Sequence, residues 1–165
     1  MAIRGDAMAP DLIPALRTHI AAANVRGGLR CTQMPVDAHH RLNDLRVGLL
    51  RLHATLLASE RASYERDVEP ITSTGQYLNL AMNDPWFAWL RDLSQFIVML
   101  DELLDAKAPE AAPDADQLIA RARELISPSD TGGPFARRYF EAMQRDPGVI
   151  LAHRDMMKVF AEVER

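Results

Sequence analysis

Apolar positions in this chain recur at intervals of three and four residues and almost never alternate, so the pattern predicts helices and no sheet. The clearest case lies between about 84 and 107. There Trp86, Trp89, Leu90, Leu93, Phe96, Ile97, Leu100, Leu103 and Leu104 fall within one arc of about 140° when successive residues turn by about 100°. No charged residue interrupts that arc. The segment is expected to form one buried helix, with Asp84 as its N-cap and Pro85 in its first turn.

Caps and breaks divide the rest of the chain into six further helical segments. The first runs from about Pro10 to Val25 and ends at Gly27 and Gly28. The second starts near Asp37, a plausible N-cap, and meets no proline before Pro70. It carries one leucine stripe (Leu42, Leu45, Leu49, Leu52, Leu56) and a second of Leu50, Leu57 and Tyr64. A short segment capped by Thr72 or Ser73 reaches about Asn83, and Asp114 opens another that runs to Ile126 beyond an Ala- and Pro-rich linker at 108–113. Two terminal helices divide near Asp146 and Pro147. The expected fold is all-α: an irregular helical bundle of about six to seven helices around a central antiparallel pair, the long helix and the 84–107 helix. A chain of 165 residues fits one domain, 1–165, with 37–164 as the core bundle and 1–36 as a peripheral addition.

Polar residues interrupt these apolar faces in a few places. Between the two stripes of the long helix stand His39, Arg46, His53, Glu60 and Asp67, one every seven residues. Their side chains are therefore stacked about 10 Å apart along one line. An unpaired charge buried there would cost several kcal/mol, so either other helices supply partners or the line faces a solvent groove. His153 stands among Val149, Ile150, Met156, Met157 and Phe160, and His19 is flanked similarly by Leu12, Leu16, Ile20 and Ala23. Histidines and a carboxylate on such faces suit a metal or an acid–base pocket. The Glu-x-x-His and His-x-x-x-Glu spacings of di-iron and hemerythrin-like bundles do not occur, however, and no metal ligand set or cofactor is expected.

Composition narrows the function classes. The chain is 48% hydrophobic and 25% charged, as a folded domain is. Its longest apolar run, Phe96 to Leu100, is far short of the ~20 residues that cross a bilayer as a helix. With the single cysteine Cys31 and no secretory pattern, a cytoplasmic location is expected, without membrane attachment. Glycine-rich phosphate loops, Cys-x-x-Cys and Gly-x-Ser-x-Gly are all missing, so no catalytic residue is assigned and enzymatic activity is not the first expectation. Charge is segregated: residues 1–66 carry nine basic and six acidic side chains, and 67–125 carry four and eleven. That suits complementation within the fold or across a homodimer better than nucleic-acid binding, because Arg41, Arg46, Arg51, Arg61 and Arg66 cover several sides of their helix.

Two stretches, Leu52 through Arg61 continuing to Tyr64 and Glu65, and Asp84 through Ser94, resemble a group of small uncharacterised all-helical bacterial proteins with no settled activity. Asp101, Glu102 and the segment from Asp146 to His153 share the likeness, which spans roughly residues 45 to 160. Asp92 stands where that group often has proline. The resemblance implies an all-helical fold and adds no mechanism. It directs attention to His53, Glu60, Tyr64 and Arg91, which an apolar core does not need.

The functional expectation is a non-enzymatic helical protein acting through self-association, as a homodimer, or through a protein partner. The alternative is a small-molecule or metal-binding bundle, an enzyme included, whose polar pocket is lined by His53 and Glu60 with His153 from the last helix. Ligand-binding candidates are therefore His53, Glu60, Tyr64, Arg91 and His153.

Overall fold

The computed structural model describes residues 36–106 and 114–165. The expected helix at 10–25, with His19, and the loop holding Cys31 lie outside the described residues, as does the linker at 108–113. All regular structure among the described residues is helical: α1 Val36–Asp67, α2 Thr74–Asn83, a short 3-10 turn Ala88–Leu90, α3 Arg91–Asp105, α4 Ala115–Leu125, α5 Pro134–Arg145 and α6 Pro147–Val163.

Local chemistry sets most of these ends. Ser73 caps α2 by accepting from the backbone of Gln76, whose side chain in turn accepts from the backbone and hydroxyl of Thr72. Asp114 caps α4 through the amides of Asp116 and Gln117, and Asp146 caps α6 through Gly148 with Pro147 in the first turn. Asp37 lies inside the first turn of α1 and is not its N-cap. The 84–107 segment differs more. Asp84 closes α2, and its side chain accepts from the amide of Trp86 to fold an Asx turn, so the chain passes through the 3-10 turn before α3 begins at Arg91.

Helix α1 is the axis of the bundle. Leu42, Leu45, Leu49, Leu52 and Leu56 are at most 1% exposed, each contributing on the order of 1.5–3 kcal/mol by burial. The second stripe is not buried throughout, since Leu50 is 41% exposed. Helix α3 lies along one side of α1. Its contacts run in opposite chain order, Arg46 to Asp101 and His53 to Ser94, so these two helices are antiparallel. The expected central pair nevertheless understates the architecture, because α1 packs more extensively on α6. Gly48 permits that approach: a Cβ there would lie 2.8 Å from Met156 Sδ and 3.2 Å from Val159 Cγ2.

Trp86 leaves the main core and joins a smaller cluster with Tyr64, Ile71 and Phe87 under α2. Trp89 packs against the main core, its ring centroid 5.3 Å from that of Phe135.

Candidate functional site

The polar line on α1 meets partners from other helices through its middle. His39 at its start is exposed. Arg46 Nη1 donates to Asp101 on α3 at 2.5 Å. His53 Nε2 is 2.8 Å from Ser94 Oγ, and that hydroxyl donates to the carbonyl of Leu90 at 3.0 Å. Since the serine proton is used on Leu90, the neutral imidazole donates from Nε2. Asp67 closes the line in a two-bond contact with its neighbour Arg66.

Glu60 is the most demanding position of the five. It is 1% exposed, and α5 supplies both of its partners: Arg145 Nη2 donates to Oε1, and Arg138 Nη2 stands 3.7 Å from Oε2. Arg138 in turn lies over the Trp86 ring, 5.8 Å from its centroid, and Trp86 stacks edge-on to Tyr64 at 5.7 Å. Tyr64 is one turn beyond Glu60 on α1 and is held above the ordinary phenol range, by loss of solvent first and then by the carboxylates of Glu69 and Asp84. These groups clamp the middle and end of α5 onto α1.

His153 belongs to another pair. Its Nδ1 is 2.9 Å from the hydroxyl of Tyr139, which is fully buried. Burial pushes the Tyr139 phenol far above its usual value, so it keeps its proton and donates it to the neutral ring. Burial also holds His53 and His153 below the ordinary imidazole value.

The five sequence candidates are thus dispersed. Glu60 and Tyr64 share one neighbourhood through Arg138 and Trp86. His53 is committed to Ser94 on α3, and His153 to Tyr139 on α5. Arg91 is exposed at the start of α3, donating to the carbonyl of Met82 at 3.3 Å. His53, Glu60 and His153 do not share a partner, and among the described residues no group of three or more His, Cys, Asp or Glu is arranged to hold a metal. Two surface clefts lie elsewhere. One of about 590 Å³ is lined by Arg41, Asp116, Arg123 and Glu164, whose charges pair with one another. The other, of about 290 Å³, lies between α1 and α6 beside Gly48, Gly148 and Ala152. None of the five candidates lines either.

Arg138, Arg145, Ser94 and Tyr139 were not singled out by the sequence. A signal exists for Ser94, which with Asp101 repeats the seven-residue step of the line on α1 that the two meet; Arg138 and Arg145 are also seven apart but both reach Glu60, and no such spacing marks Tyr139.

Set against protein-family models, curated proteins and solved structures, the chain matches none. The geometry carries the functional reading alone. Among the described residues, no helix is long and apolar enough to cross a membrane.

Proposed function

We propose that this chain is a cytoplasmic, non-enzymatic helical module that works by associating with protein surfaces, its own included. The observation that carries this reading is the placement of the exposed large apolar side chains: of eight among the described residues, six occur in pairs, and Val36 and Val68 stand alone. Leu78 and Met82 are one turn apart on α2, at 59% and 62% exposure. Ile150 and Leu151 adjoin on α6. Leu50 and Val98 flank the α1–α3 seam: Leu50 sits between Arg46 and His53, and Val98 between Ser94 and Asp101, the residues that bond across it. Contiguous exposed apolar surface favours association, and these pairs are where it would begin.

The pocket alternative needs His53, Glu60 and His153 to pool their side chains, and separate interhelical partners take up all three. Native mass spectrometry of the chain, purified without added metal or chelator, tests the choice. The expected species is a multiple of the 18.5 kDa chain with no added mass. A retained metal or small molecule would overturn the association reading in favour of the pocket.

A further inference from the structure

Helix α3 carries three exposed residues at seven-residue spacing: Arg91, Val98 and Asp105. Two helical turns amount to about 10 Å, so the two charges stand at nearly equal distances on either side of Val98 along one face. Leu50, from α1, lies beside Val98 on the exposed side of the seam, because the bonds Arg46–Asp101 and His53–Ser94 bracket both residues.

Both charges oppose the macrodipole of their own helix. Arg91 is the first residue of α3, where the dipole favours an anion, and Asp105 is the last, where it favours a cation. Among the described residues neither has an ion pair. Arg91 makes a single 3.3 Å bond to a carbonyl, and Asp105 has no ion pair among the described residues. Asp92 shares the first turn with Arg91 and suits the dipole there, whereas the last turn holds no basic residue; along the line itself, the order basic, apolar, acidic is its own complement when reversed.

Resting on the association reading above, we infer that α3 pairs antiparallel with α3 of a second copy, about a two-fold axis through Val98. That operation brings Arg91 of each copy onto Asp105 of the other and packs the two Val98 side chains together with both Leu50 side chains alongside. It also sets the N-terminal end of each α3 dipole against the C-terminal end of the other. A two-fold contact is isologous and requires such a self-complementary surface. An unrelated partner would place no such symmetry requirement on the line, which is why the occupant is a second copy.

Sedimentation velocity on the full chain tests this, with circular dichroism confirming that each variant keeps its helix content. The wild type is expected as a dimer and Val98→Glu as a monomer. Arg91→Glu and Asp105→Arg, each creating two like-charge contacts, should weaken the dimer about tenfold or more. The double variant Arg91→Glu/Asp105→Arg restores opposite charges across the axis and should return to within about threefold of the wild type. Gln144→Glu, exposed on α5 away from the apolar pairs, should leave the dimer unchanged. A double variant no stronger than the singles overturns the proposal. A dimer indifferent to Val98→Glu overturns it too, while leaving association through another surface standing. A wild-type monomer, or one that binds a different protein through Val98, overturns the second copy as occupant.

Discussion

Glu60 on α1 and Arg145 at the end of α5, separated by 85 residues of sequence, join in an ion pair whose carboxylate is almost wholly removed from solvent. Arg138 approaches the other carboxylate oxygen to 3.7 Å, an ionic contact without a hydrogen bond, so that oxygen is compensated by charge alone. The pair gives α5 a defined seat on α1, where Asp67 also feels the Arg145 charge.

Removing Arg145 leaves the buried carboxylate with only the longer contact to Arg138. Arg145→Met is expected to destabilise the fold by about 3 kcal/mol, measured by denaturant unfolding, because water cannot reach the Glu60 carboxylate it leaves behind. The double variant Glu60→Leu/Arg145→Leu should recover most of that loss, since neither charge then has to be buried. A double variant less stable than Arg145→Met would contradict the account of the pair.

The two half-buried imidazoles make stability depend on acid. Burial lowers both His53 and His153 in the folded state, so the unfolded chain binds protons first as pH falls. Their contribution is complete above the ordinary value of about 6.5 and is lost as the pH drops through it toward the lower folded values. Melting temperatures recorded between neutral and mildly acidic pH should fall in the wild type and fall less in His53→Gln/His153→Gln. Equal slopes in the two proteins would count against this assignment.

The Tyr139–His153 bond has a separate signature. Tyr139→Phe removes the proton donated to His153 Nδ1, which supports the neutral ring, and should cost on the order of 1 kcal/mol. The His153 titration followed by NMR should move upward, toward the ordinary value. An unchanged or lowered midpoint would show that the hydroxyl does not donate to this ring.

Close approach of α1 and α6 at Gly48 predicts a steric cost. Gly48→Val places branched carbons against Met156 and Val159, already within 2.8–3.3 Å of a single added Cβ, and should destabilise by about 1–3 kcal/mol despite the gain in helix propensity. Thermal unfolding measures it. A valine variant as stable as the wild type would mean that α6 can move away at no cost.

Helix positions were legible in the sequence because Ser73, Asp114 and Asp146 have backbone amides within a few residues to cap, and such local chemistry needs no tertiary information. Asp84 and Pro85 carried the same signal and led elsewhere. Phe87 and Trp86 pack onto Tyr64, and seating them there turns the chain before α3 can begin, a choice made by residues about twenty positions upstream. The α1 ladder was legible as a line needing partners, but the partners were not. Arg138 and Arg145 look like ordinary charged positions on an amphipathic helix until the docking angle of α5 is known. Leu50 falls in an apolar stripe yet is exposed for a related reason: periodicity locates a face, whereas exposure depends on which neighbour covers it.

Isotope-filtered NOE spectroscopy on a mixture of labelled and unlabelled chains reports contacts between copies and is blind to those within one. The expected result is intermolecular cross-peaks from the Val98 methyl groups to Val98 and Leu50 of the other copy, with none from Leu151. Filtered spectra without a Val98 cross-peak, at a concentration where the chain sediments as a dimer, would contradict the α3 interface.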